Sequence, residues 1–317
     1  MLRYTFKRIV FTIPIALAVS LLCFSLVHIA PGDPLTAILP PQTPPDVVAQ
    51  VKRDFGLDEP LPIQFVLWLG QIVQGNLGVS IGTGRSVFVE LSGALQNSLI
   101  LALFASVVGV VAGFLFGLLA GYFRGGWIDK LATTVSIAGV CIPHYWLGLV
   151  LVIVFAVELR WLPAMGGGPG AMSDWAWDWD HIRYAILPSI TMSVVPVGII
   201  TRTVRALVAD ILAQEFVDAL RAKGLRERRI FIHVVKNAAP SALAVAGLQL
   251  GYLLGGSILI ETVFAWPGSG LLLNNAIFQR DLPVIQGTIL ALAMIFVCLN
   301  LAVDLIQAWL DPRMKRG

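Results

Sequence analysis

The chain has 317 residues, 57% of them hydrophobic and only 13% charged, with a net charge of +3. A soluble domain carries roughly 25% charged residues, so this composition excludes an ordinary water-soluble globule and indicates an integral membrane protein. The modest positive charge lies beside apolar runs, where membrane proteins carry it anyway, and makes no case for a nucleic-acid partner.

In chain order, six charge-free runs approach or exceed the about 20 helical residues that cross a hydrocarbon core. They are Ile9 to Ala30, Ser98 to Tyr122, Leu131 to Val157, Tyr184 to Thr201, Asn237 to Ile260 and Leu282 to Val303. The fold expected is all-α, with six transmembrane helices. The first run follows Arg3, Lys7 and Arg8. Its apolar part exceeds the ~7 to 15 residues of a signal core and no small-x-small site follows it, so it reads as a retained anchor. The segment 31–97 is rich in Pro and Gly, opens on "PGDP" and holds an amphipathic piece from Pro62 to Val73; it reads as an extracytoplasmic cap.

Two nearby features suggest chemistry and do not carry it. Gly78-Val79-Ser80-Ile81-Gly82 matches a nucleophile elbow in letters only, without the strand and helix that make one. Cys23, Cys141 and Cys298 all fall in apolar runs and read as small packing residues. No phosphate-binding loop and no His/Cys cluster with zinc spacing occurs, so no catalytic residue, cofactor or metal site is expected in this chain.

In the second span Gly109, Gly113, Gly117 and Gly121 recur every four residues, and Gly247, Gly251 and Gly255 repeat the device in the fifth. Such stripes let helix backbones approach closely. They serve packing, or faces that slide or line a passage. The fourth span carries Pro188 and Pro196 but still reads as a helix, because neighbours can satisfy the backbone groups that proline frees. Before it, "DWAWDWD" in an extended conformation puts Trp175, Trp177 and Trp179 on one face and Asp178 and Asp180 on the other. Interfacial anchoring and contact with a partner or solute both fit.

Ion-coupled carriers place carboxylates or histidines at mid-membrane depth, and these spans hold almost none. His28 and His144 read as helix-end or packing residues. An ion-coupled secondary carrier or an intramembrane enzyme therefore lacks its expected signature, and the energy source lies in another chain. With the amino terminus inside, the inner segments hold most of the Lys and Arg, leaving Lys52, Arg53, Arg85, Arg160, Arg183 and Arg280 outside. The positive-inside rule then puts both termini in the cytoplasm. The chain divides into 1–30, an outer segment 31–97, a permease core 98–310 with a cytoplasmic loop 207–237, and a tail 311–317.

That loop is the most charged stretch of the chain. Read as a helix, Leu212, Phe216 and Leu220 lie close to one face, with Ala219 and Ala222 keeping the surface low. Asp210, Glu215 and Asp218 come early and Arg221 and Lys223 late, the order that suits the helix dipole. Gly224 then ends the helix, and a basic segment leads to Pro240 and back into the bilayer. Such a helix lies on a membrane surface or docks into a groove on a soluble partner, and the pattern alone leaves both open.

The spacing Asp218-Ala219, then Gly224, then Pro240 resembles the "EAA" loop of ATP-binding-cassette importer permeases. "DALRAKGLRERRIFIHVVKNAAPS" is similar to its form in the dipeptide and oligopeptide permease family, with Asp218 at the family's Glu and Leu220 at its second Ala. "HIAPGDP", "FGLDEPLPIQF", "GNLGVSI", "IPHYWLG", "ETVFAWPGSG", "RDLPVIQG" and "VDLIQAWLDPR" extend the resemblance from Met1 to Arg316. It implies a type I ABC importer permease in the bacterial inner membrane, paired with a second related permease. Two cytoplasmic ATPases carrying ATP and Mg, and an extracytoplasmic solute-binding protein, complete the assembly. The helix from Glu215 to Gly224 becomes the coupling helix. Ala219 lies against an ATPase, Gly224 turns the chain, and Arg221 and Lys223 pair with acids there. Pro143, His144, Trp146 and Glu261 are candidates for the passage or its gate. The family carries di- and oligopeptides, and close relatives carry nickel complexes, glutathione, sugars or opines. Peptides are the expected solute and nickel chelates the nearest competitor.

Overall fold

The computed structural model describes residues 2–29, 44, 46, 58–171 and 175–310. Among them every main element is a helix: α1 (Leu2–Ile29), α2 (Leu61–Val73), α3 (Val87–Tyr122), α4 (Trp127–Cys141), α5 (His144–Leu151), α6 (Trp179–Leu212), α7 (Glu215–Ala222), α8 (Glu227–Val263), α9 (Ser269–Gln279) and α10 (Leu282–Leu310). "HIAPGDP" beyond Ile29, the start of "FGLDEPLPIQF", Asp174, the side chain of His28 and the tail 311–317 lie outside the described residues.

Five helices are long and apolar enough to span a bilayer, and a bent pair makes the sixth. α3 has 36 residues, about 54 Å at 1.5 Å per residue, well over the ~30 Å hydrocarbon core. It therefore begins at Val87, ahead of the expected start at Ser98, and runs through the boundary expected between the outer segment and the core. α6 and α8 likewise overrun their predicted spans at both ends.

The third span is not one straight helix. Proline disfavours helical geometry in the residue before it, and Ile142 is extended at φ −76°, ψ 129°. α4 stops there, Pro143 caps α5, and the two halves meet at 101°. α5 runs on through a π-helical stretch, Val152–Glu158, to Arg160 at φ 55°.

α6 is the central helix. Of its most apolar stretch 61% is buried within the chain, against 11% for α10, which lies at the periphery. α6 packs most extensively on α3 and also on α4, α5 and α8, while α10 packs on α1 and α8. Pro188 and Pro196 are both buried inside α6 without ending it. The α3–α6 contact has a one-turn register: Gly109, Gly113, Gly117 and Gly121 face Pro196, Ile200, Val204 and Val208 in order. A Cβ on these glycines would meet them at 3.1, 2.7, 2.6 and 2.7 Å, so the backbones sit as close as glycine permits. Gly247 and Gly251 receive Val303 and Phe296 of α10 in the same way. Gly255 departs from the stripe: among the described residues nothing lies within 4 Å of where its Cβ would be.

The tryptophan loop is not extended throughout. Asp178 is the N-cap of α6, its Oδ1 accepting from the His181 backbone N–H at 2.8 Å, with the His181 ring Nδ1 at 2.7 Å. The His181 contacts hold the Asp178 carboxyl below its ordinary pKa. Trp179 is thus already helical and exposed, while Trp175 turns inward onto Trp266, Phe104 and His181. Of the cysteines only Cys23 is buried; Cys141 and Cys298 face outward from the bundle.

Candidate functional site

The charged loop folds as α7 between the ends of α6 and α8. Gln214 precedes it in an extended conformation, Glu215 and Asp218 occupy its first turn and Arg221 its last. Gly224 ends it at φ 78°, and the Leu225 N–H closes back on the Leu220 carbonyl at 3.2 Å. Among the described residues a Cβ at Gly224 would meet nothing within 4 Å. Glycine is required there by backbone conformation alone.

The apolar face of α7 does not point outward, as a groove-docking helix would require. Val217 is fully buried, and Phe216, Leu220, Leu212 and Leu225 pack on the same cluster, formed with Val208 and Ile211 of α6 and Ile230 and Val234 of α8. Burying a valine side chain is worth about 1.5–3 kcal/mol, which seats α7 on its own bundle. What it presents to solvent is the opposite face: Glu215, Asp218, Ala219 and Ala222, followed by Lys223.

Arg221 is committed within the chain. Its Nε donates to Glu227 Oε1 at 3.1 Å and its Nη1 to Asp218 Oδ1 at 3.4 Å, while the Tyr122 hydroxyl donates to Glu227 Oε2 at 2.9 Å. Tyr122 also meets Phe231 edge-on, with ring centres 5.3 Å apart. This clamp joins the end of α3, α7 and the start of α8. Pro240 takes no part in it. It lies inside α8, about 20 Å along the axis from Glu227 at 1.5 Å per residue. The expected loop 207–237 is therefore the end of α6, all of α7 and the first turns of α8.

A second ionic joint lies nearby. Arg205 of α6 makes a two-pronged contact with buried Asp129 of α4, through Nε and through Nη2 at 2.8 Å. The Gly125 N–H adds a hydrogen bond to Asp129 Oδ2 at 2.8 Å.

At the opposite end of the bundle Glu261 is fully buried. It accepts from the Ser98 hydroxyl at 2.7 Å and from the Gly270 and Leu271 N–H groups at 2.7 and 3.2 Å. A carboxylate on the amino end of a helix is well placed, and here it fastens α9 to α3 and α8. Glu261 therefore lines no passage within this chain. Trp266, also fully buried, donates from Nε1 to the Asn97 carbonyl at 3.1 Å. Asp281 accepts from the Ser80 hydroxyl at 2.5 Å and from the Gly82 N–H at 3.0 Å, so the serine of the elbow-like stretch is a structural donor. Of the remaining passage candidates, Pro143 and Trp146 are exposed at the α4–α5 bend, and His144 faces Met192, Val195, Tyr252 and Leu253. What sequence reasoning misses in both clusters is the long-range partner, Tyr122 for Glu227 and Ser98 for Glu261, 105 and 163 residues away.

The family model "Binding-prot-dependent transport system membrane comp, N-term" matches residues 1–104, and "Binding-protein-dependent transport system inner membrane component" matches residues 113–316. The chain belongs to this family. It is the membrane permease subunit of an ABC importer and crosses the membrane several times. The permease is 35% identical, over 99% of its length and 100% of the relative's, to the dipeptide transport system permease protein DppB of Alkalihalophilus pseudofirmus. It is 37% identical, over 99% of each chain, to the glutathione transport system permease protein GsiC of Escherichia coli. Its fold resembles the MetNI methionine ABC transporter in an inward-facing form, with a TM-score of 0.57 and 18% identity over 70% of this chain and 96% of that one.

Proposed function

We propose that this permease imports small peptides, glutathione included, across a bacterial inner membrane with both termini in the cytoplasm. A second related permease, two cytoplasmic ATPases and an extracytoplasmic solute-binding protein complete the machine. ATP and Mg belong to the ATPases, and this chain carries no cofactor and no catalytic residue. The observation that carries the reading is the seating of α7: its apolar side is consumed by its own bundle, and its outer side is a low, charged surface around Ala219. That surface suits a cleft of a partner ATPase. Because Val217 and the Arg221–Glu227–Tyr122 contacts tie α7 to three helices, a push on it moves their ends together, and alternating access follows. Peptides are favoured as solute because the similar permeases are named for dipeptide and glutathione transport.

The test is co-purification from the native membrane, with associated proteins identified and ATPase activity assayed. Gly224→Val places a β-branched residue at positive φ, where it is strongly disfavoured, whereas Gly224→Asn tolerates that region. The expected result is loss of the ATPases, or of transport coupled to them, with Val and retention with Asn. A wild-type chain that purifies without any ATPase removes the coupling role. Labelled dialanine uptake that survives deletion of the gene removes the peptide reading and leaves the role of α7 untouched.

A further inference from the structure

The outer end of the bundle holds a cleft of about 530 Å³ that the transport cycle described above does not use. This lies within the range of about 300–1,000 Å³ typical of small-molecule sites. One wall is the first turns of α3, where Glu90, Gly93, Ala94 and Asn97 recur at i, i+3, i+4 and i+7 and so share a face. The other wall is α9, with Leu271, Leu272, Asn275 and Gln279, and the loop Ser80 to Arg85 closes one end. The walls are fixed before any ligand arrives. Glu261 pins α9 to Ser98, Trp266 pins the tip to Asn97, and Asp281 pins the loop through Ser80. Preorganisation of this kind reduces what binding must spend on ordering.

The α3 wall is bare at Gly93. Among the described residues a Cβ there would meet nothing within 4 Å, although glycine inside a helix costs roughly 0.5–1 kcal/mol relative to alanine. The charges are also unusual. Arg85 has no side-chain hydrogen bond or ion pair among the described residues, and Glu90 spends only Oε1, on the Thr83 hydroxyl at 2.5 Å. The two do not pair with each other. An exposed arginine by itself is an ordinary solvated group. Here it shares a preformed cleft with a carboxylate that retains a free oxygen, two exposed primary amides and leucine side chains.

We infer that this cleft is a binding site for a short zwitterionic peptide, met by the permease before the solute enters the bundle. Arg85 takes the carboxylate, Glu90 the ammonium group, Asn275 and Gln279 the peptide group, and Leu271 and Leu272 the side chains. No histidine or cysteine lines the cleft among the described residues, so the soft and imidazole ligands that suit nickel are missing. The inference rests on the peptide reading of the solute.

The experiment is uptake of labelled dialanine by cells carrying the complete transporter, with Gly93→Phe, Gly93→Ala and Arg85→Gln compared with wild type. Membrane assembly and ATPase stimulation by the loaded binding protein are measured alongside. Gly93→Phe adds a ring to the cleft wall at a position where the Cβ itself is clear, and it and Arg85→Gln should each lower uptake at least tenfold, with assembly and stimulation kept. Gly93→Ala should stay within twofold of wild type. Unchanged uptake in Gly93→Phe overturns the site. Loss of ATPase stimulation together with uptake overturns it too, and makes the cleft a docking surface for the binding protein. If wild type takes up glutathione but not dialanine and Gly93→Phe blocks that uptake, the zwitterion site stands and the dipeptide preference fails. If wild type takes up only a nickel chelate, the ligand class assigned here fails with the peptide reading.

Discussion

The two ends of the bundle are both held by carboxylates, in opposite ways. At the end that carries α9, Glu261 and Asp281 are 0% and 2% exposed and take their bonds from hydroxyls and backbone N–H groups. At the end that carries α7, the side chains of Asp218 and Glu227 are 77% and 56% exposed and pair with the Arg221 guanidinium. A buried, satisfied acid is costly to disturb, since removing it strands every donor it served. An exposed ion pair contributes little to stability. The α9 end is therefore built to stay as it is. The α7 end is held instead by exposed pairs that join α7 to α3 and α8.

The sharpest way to break this contrast is Glu261→Ala. The Gly270 and Leu271 N–H groups would lose their side-chain acceptor and Ser98 would keep only the Ser269 hydroxyl, at a cost on the order of 4 kcal/mol when unsatisfied donors cost about 1–3 kcal/mol each. The variant should fail to accumulate in the membrane or should lose most of its thermal stability in detergent. Normal accumulation with a wild-type Tm would mean that the Glu261 contacts are not what holds α9. Asp129→Ala probes the intermediate case, an acid with a 5% exposed side chain paired to a 31% exposed arginine. Its cost should be about 2 kcal/mol, the range of hydrogen bonds to charged groups, and Arg205→Lys should fall between it and wild type because lysine lacks the two-pronged fork. A smaller difference separates the glycines. Gly117→Ala drives a Cβ to 2.6 Å from that of Val204 and should cost about 1–3 kcal/mol of packing. Gly255→Ala meets nothing and should be neutral or slightly stabilising. Equal effects at the two positions would mean that the α3–α6 register is wrong.

Much of this was legible in the residues. Charge-free length marked the spans, and Gly224 with its flanking charges marked the end of α7, because both are local properties. The bend at Pro143 was also locally signalled, by the restriction that proline places on Ile142, but an unbroken apolar run hid it. The orientation of α7 was not legible. Phe216 and Leu220 look like anchors for a partner until Val208, Ile211, Ile230 and Val234 of other helices are seen to cover that face. The same holds for Glu261: the sequence places an acid at a membrane boundary, and only its contacts with Ser98 and α9 turn it from a gate candidate into a fastening. Helix α9 escaped notice because a short helix between two long apolar runs has no span length to announce it.

The smallest structural change should have the most informative functional effect. Arg221→Glu leaves Val217 and its cluster intact, so the unfolding midpoint should not move measurably. It places like charges opposite Glu227 and Asp218, and α7 loses its fixed angle to α3 and α8. In the assembled transporter the expected result is ATP hydrolysis at or near the wild-type rate with severalfold less solute moved per ATP. The exchange Arg221→Glu with Glu227→Arg restores one ion pair in reverse and should recover part of that ratio, although the Tyr122 hydroxyl then faces a guanidinium rather than a carboxylate. Glu227→Gln keeps a hydrogen-bonding oxygen for Tyr122 and should be milder than Arg221→Glu. A purely structural clamp would lower Tm and transport together in all three. A coupling clamp lowers the ratio alone, and the order of the three variants reports how much of the push travels through charge and how much through the buried face of α7.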